Sequence, residues 1–168
     1  MRIHDLFYFS VIIILLGCKE NPIGLTIQEA EKKGIFFDSL NLVYKSAISV
    51  DSSTAVFKTE SDMEKASTAY QNLLDEFGKY LKANHFNWPF ATSCFQKIYI
   101  NEDGKIDYFL FSFLGEPPYE VTAAQENKFK SLLNEFIKDY KFPITTSMKH
   151  SQCGTVVYGL KKEKQNQK

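Results

Sequence analysis

The chain has 168 residues, 44% hydrophobic and 24% charged, with basic and acidic side chains balanced to a net charge of zero. That composition suits one globular domain with its own core and excludes a largely disordered chain. It also argues against a nucleic-acid partner, because phosphate neutralisation needs a basic excess that is missing here.

Arg2 and His4 precede an apolar run from Leu6 to Leu16. The run is shorter than the roughly 20 apolar residues that a membrane-crossing helix requires, so it reads as a secretory signal. It ends in Leu15-Leu16-Gly17-Cys18, which resembles the lipobox of bacterial lipoproteins. The resemblance implies cleavage after Gly17, a diacylglyceryl group on the Cys18 thiol and acylation, for example by palmitate, of the new amino terminus. Two or more acyl chains hold a protein on a bilayer lastingly, whereas one does so only marginally. Lys19 rather than Asp follows the cysteine, and "CKEN" is similar to the start of surface-exported lipoproteins of Bacteroidota. Both point to the outer membrane, facing the periplasm or the cell surface. The expected organisation is a signal peptide over 1–17, a lipidated tether over 18–24, one domain over 25–160 and a polar tail over 161–168.

Thr26 is placed to cap a short helix "IQEAEKK" that Gly34 ends in a left-handed conformation. The 3.6-residue spacing of Leu40, Val43, Tyr44, Ala47 and Ile48 predicts a second helix over 38–48 with Asp38 as cap. Residues 49–59 read as a loop. Ser61 and Glu64 form the pattern of a capping box opening the longest helix, whose apolar stripe runs through Ala66, Tyr70, Leu73, Phe77 and Leu81 until "NHFNWP" stops it at Pro89. From Cys94 the pattern becomes strand: "FQKIYI" and "IDYFLFSF" flank Asp103-Gly104, a strong hairpin signal. The second of these strands is apolar on both faces, so it is expected in the centre of a sheet covered on both sides. Thr122 and Gln125 read as a further capping box, followed by an amphipathic helix to Tyr140, and "TVVYGL" is the last strand. The expected fold is α+β: a helical amino-terminal half packed on a small antiparallel sheet in the order strand, hairpin, strand, helix, strand, with the 122–140 helix on one face and the amino-terminal helices on the other.

The succession "IYINEDGKI", amphipathic helix ending in "YKFP", closing strand resembles, over residues 94–160, the carboxy-terminal domain of TonB-type energy transducers. The resemblance implies a related fold and a taste for protein contacts. The membrane-spanning start and Pro-rich linker of that family are missing, so force transduction and its binding residues do not carry over.

For chemistry, His150 and Cys153, with His85 or Cys94, suggest a metal or nucleophile site by type; the acids of "NEDGKID" lack the ligand pattern of a calcium loop, and the pairs Asp75-Glu76 and Glu116-Glu120 read as solvated surface. A zinc site needs three or four ligands and none completes the set, so no metal or other cofactor is expected. Cys94 and Cys153 either form a disulfide, which needs Cα atoms within about 7 Å, or remain two separate buried thiols. The loop "NHFNWPF" carries Phe86, Trp88 and Phe90, either as anchors for a partner or as a plug for the end of the core. The sequence-based expectation is therefore an envelope lipoprotein, held to the membrane by its lipid, acting as a non-enzymatic protein-binding or complex-stabilising module. The alternatives are a small periplasmic enzyme or metal binder using His150 and Cys153, and an inhibitor or immunity-type protein.

Overall fold

The computed structural model describes residues 21–159 apart from Ser52 and Pro117. Cys18, the signal segment and the polar tail lie outside the described residues. Within them, strands β1 (Ile23–Thr26), β2 (Lys45–Ser46), β3 (Thr92–Ile100), β4 (Ile106–Phe113) and β5 (His150–Tyr158) alternate with helices α1 (Ile27–Lys32), α2 (Phe37–Val43), α3 (Glu60–Ala83) and α4 (Ala123–Asp139). No helix among them is long and apolar enough to cross a membrane.

The fold is α+β, but its sheet is mixed. The strand order is β1-β4-β3-β5-β2. β3 pairs antiparallel with both β4 and β5, while β1 joins β4 and β2 joins β5 in parallel. The purely antiparallel sheet and simply helical amino-terminal half therefore need correction. That half supplies a strand to each edge, and most helical residues lie in α3 and α4. Ile23 and Gly24, expected in the tether, belong to β1, whose parallel pairing with Tyr108–Phe111 no local pattern announces. The second helix stops at Val43 instead of Ile48. Tyr44 is drawn toward β4, where its hydroxyl donates to Asp107 at 2.6 Å, and the chain beyond it pairs with β5. Tyr44 and Ala47 are buried as the periodicity requires, but from extended backbone.

Caps account for the helix starts. Thr26 and Glu29 form a reciprocal capping box, as do Thr122 and Gln125, and Gly34 takes φ 76° behind α1. α3 begins at Thr59, whose hydroxyl accepts from the Asp62 amide, not at Ser61. The stretch contains two overlapping hydroxyl-x-x-acid registers, and the earlier one lengthens the helix by two residues. α2 has Phe36, with no side-chain cap, at the position expected of Asp38. This start puts Phe37 and Leu40 against the small core made with Leu25, Ala30, Tyr44, Tyr99 and Leu110.

β4 is indeed interior and covered on both faces. Phe109 and Phe111 enter the large core under α3 and α4, with Phe77, Phe129 and Leu133, while Leu110 and Tyr108 face α1 and α2. α3 thus shares a face with α4, and only the two short helices cover the other. A bulge between Tyr99 and Ile100 turns Ile106 into the large core, out of the alternation its sequence suggests. α4 reaches β1 closely because Gly24 has no side chain: a Cβ there would lie 2.9 Å from Leu133 Cδ2.

Candidate functional site

The residues with catalytic or ligating side chains are dispersed. His150 and Cys153 both lie on β5, three positions apart, so they face opposite sides of the sheet. His150 has no exposed surface and sits among the rings of Phe57, Tyr70 and Phe142, with centroids 5.5, 6.4 and 5.9 Å away. Its Nδ1 lies 3.4 Å from the Met148 carbonyl and its buried Nε2 meets no partner among the described residues. Burial holds its pKa below the ordinary histidine value. Cys153 is exposed on the other face, across from Lys97. Cys94 is buried opposite Val156 on the α3/α4 face, where burial pushes its thiol up to about 12.

The two thiols are free, and three rungs and the thickness of the sheet separate them. The expected alternatives of a bridge or of two buried thiols both give way to one buried and one exposed. His85 is exposed at φ 54°, in the loop after α3. Among the described residues no group of three or more His, Cys, Asp or Glu could hold a metal ion.

The aromatic loop closes the end of the core. Phe86 is buried, and Trp88 is half-buried with its indole stacked on the Tyr158 ring at 5.0 Å and 3°. Phe90 meets Tyr119 edge-on at 5.6 Å. The carboxylates Asp75, Glu76, Glu116 and Glu120 are exposed, and Asp103-Gly104 forms the hairpin turn, with Gly104 at φ 80° and Asn101 Oδ1 accepting from the Asp103 and Lys105 amides.

What the sequence reading passed over is the contrast between the two edges of the sheet. At the β1 edge, Asn134 of α4 accepts from Gly24 N–H through Oδ1 and donates to Gly24 C=O through Nδ2, both at 2.9 Å. The amide side chain thus stands where a neighbouring strand would. At the other edge β2 covers only His150 and Ser151. Ala47 N–H donates to the Ser151 carbonyl at 2.8 Å, so the odd-numbered residues of β5 aim their peptide groups outward and the even ones bond β3. Cys153, Thr155 and Val157 therefore present N–H and C=O groups to an edge that no described strand occupies. Unpaired strand edges of this kind are ready templates for another extended chain, and proteins usually blunt them.

Beside this edge runs a groove of about 520 Å³. α3 forms its wall through Leu74 and Gly78, Lys79 and Lys82 stand on its rim, and Trp88 and Val157 bound it at the far end. A Cβ on Gly78 would meet nothing within 4 Å, so the helix leaves room there. α3 and β5 run in the same direction, with Tyr70 beside His150 and Phe77 beside Tyr158; the groove thus follows the strand. Trp88, singled out from sequence as an anchor or a plug, serves as the groove's end wall while packing on the core. The signal available in the sequence was "CGTVVY", an apolar strand whose edge position only the topology reveals. No family model, curated protein or solved structure matches the chain.

Proposed function

We propose that this protein is a non-enzymatic, membrane-tethered binding module that captures an extended segment of a partner protein by adding it to the open edge of β5. The observation that carries this reading is the asymmetry of the sheet: one edge is closed by the Asn134 clamp, while over Cys153–Val157 no described strand covers the other, where the Cys153 carbonyl accepts from its neighbour Gln152 Nε2 at 3.3 Å and an apolar groove runs alongside. Main-chain hydrogen bonds along the edge supply affinity and side chains entering the groove supply selectivity. The lipobox-like Leu15-Leu16-Gly17-Cys18 supplies the tether and an envelope location. An enzyme built on His150 and Cys153 gains no support from side chains on opposite faces of β5.

The test is photo-crosslinking in intact cells, with Cys18 retained and a photoreactive residue in place of Val157, compared with the same residue in place of Phe36, which is exposed before α2. The competing variant is Thr155→Pro. It removes an outward N–H and leaves the even-numbered bonds to β3, a placement proline tolerates at an edge. A discrete adduct at position 157, lost in Thr155→Pro while the melting temperature holds, is the expected result. An adduct that survives Thr155→Pro, or equal labelling at position 36, refutes strand addition.

A further inference from the structure

The strand directions give the domain two distinct ends. β1, β2, β4 and β5 all run one way and β3 the other. The starts of β1, β2, β4 and β5 and the end of β3 therefore lie together. The chain enters at this end, at Pro22 and Ile23, and the residues from Cys18 to Ile23 can span at most about 18 Å when fully extended. With a lipid on Cys18, this end of the domain cannot stand far from the bilayer.

The same end carries apolar side chains that the fold does not need. Leu42 and Val43, in the last turn of α2, are 80% and 55% exposed, and Met148, just before β5, is 43% exposed. α2 already packs through Phe37 and Leu40, so polar residues at 42 and 43 would serve the core equally well. The two segments adjoin, since Lys45 N–H donates to the Lys149 carbonyl at 3.1 Å. They are also held rigidly: the Asp107 carboxylate accepts from the Tyr44 hydroxyl at 2.6 Å and from Asn101 Nδ2 at 2.9 Å, with Lys149 Nζ 3.7 Å away.

We infer that this end of the sheet rests on the lipid surface, with Leu42, Val43 and Met148 dipping into the interface. The inference relies on the lipidation of Cys18. The charges there are mixed, exposed Lys45, Lys105, Lys138 and Lys141 and half-buried Lys149 against exposed Glu102, Asp103 and Asp139, so apolar insertion and not headgroup charge makes the contact. The groove's far end beside Tyr158 then stands about 26 Å further out, the length of β5 at about 3.3 Å per residue. The binding edge then runs outward from the membrane and faces sideways, open to a partner along its length.

The experiment uses the full lipidated chain in vesicles of phosphatidylethanolamine and phosphatidylglycerol with bromine-labelled acyl chains, which quench nearby indoles. Val43→Trp is compared with Leu114→Trp, an equally exposed site at the opposite end of the sheet, and with the unsubstituted protein, whose single tryptophan, Trp88, is at that opposite end. Mass spectrometry of the same samples reads the modification on Cys18. The expected result is loss of most of the additional emission at position 43, none at 114 or from Trp88, and no change on raising salt. A lipidated protein in which position 43 escapes quenching, or in which 43 and 114 are quenched equally, overturns the orientation while leaving the tether intact. A bare Cys18 thiol overturns the tether itself.

Discussion

The closure of the β1 edge can be tested by Asn134→Ala. The side chain makes three hydrogen bonds: it accepts from Gly24 N–H, donates to Gly24 C=O, and donates to the Lys130 carbonyl at 2.8 Å within α4. Gly24 is buried, so truncation strands a donor and an acceptor where water reaches poorly, and the helix carbonyl keeps its ordinary ladder partner. A net hydrogen bond contributes about 1 kcal/mol, and an orphaned buried group costs somewhat more. The loss of two therefore comes to about 2.5 kcal/mol. Alanine returns about 0.5 kcal/mol through helix propensity, which leaves about 2 kcal/mol. For a domain of this size that is a fall in melting temperature of about 4–8 °C. The assay is thermal and urea denaturation followed by far-ultraviolet circular dichroism, with Gln71→Ala as a control. Gln71 is exposed on α3 and bonds the exposed Asp75. Amide exchange adds a local readout: the Gly24 amide should exchange about 30-fold faster, as a 2 kcal/mol loss implies. A melting temperature within one degree of the unsubstituted protein, or an unaltered Gly24 exchange rate, refutes the claim that Asn134 acts as a surrogate strand.

Three further outcomes are expected. His150 is held neutral by burial, so its folded pKa lies below its unfolded one. The unfolded chain then binds the extra proton, and the stability due to His150 is present above the unfolded pKa, near 6.5, and is lost as pH falls from there through the folded value. His150→Phe, set among the same three rings, should flatten the stability curve below pH 6.5, and an unchanged slope in urea denaturation at stepped pH would count against the assignment. The two thiols should differ sharply: Cys153 reacts with maleimide in the native protein, while Cys94, buried and with its thiol pushed up to about 12, reacts only on unfolding; mass spectrometry after timed quenching distinguishes them, and equal rates would refute the burial. Gly104→Ala places a Cβ 2.7 Å from the Phe142 carbonyl in a residue at φ 80°, so it should destabilise by about 2 kcal/mol, while Gly78→Ala, with open space around it, should be neutral or slightly stabilising.

How much of this was legible beforehand follows from the range of each interaction. The helices at 60–83 and 123–139, the caps at Thr26 and Thr122, the Asp103-Gly104 turn and the two-sided burial of "IDYFLFSF" are all written locally. Each is decided by partners three or four residues away, by one residue's φ, or by a continuous apolar run. The cap at Thr59 was missed because two equivalent registers overlap. For the candidate site, the sequence marked Trp88 and the last strand, while the pair His150 and Cys153, suggested by residue type as an alternative, is divided by strand alternation between two faces.

What the sequence settled by itself is the α+β class and the faces that must be buried, because hydropathy and local hydrogen bonding depend only on neighbours in the chain. Tertiary structure alone decided that two short strands, Ile23–Thr26 and Lys45–Ser46, would flank the sheet, that Asn134 would seal one side, and that among the described residues no strand would cover β5 beyond Ser151 on the other. Whether a strand lies inside a sheet or at its border is a matter of which distant segment comes to lie next to it. A strand that ends unpaired looks the same in sequence as one that does not.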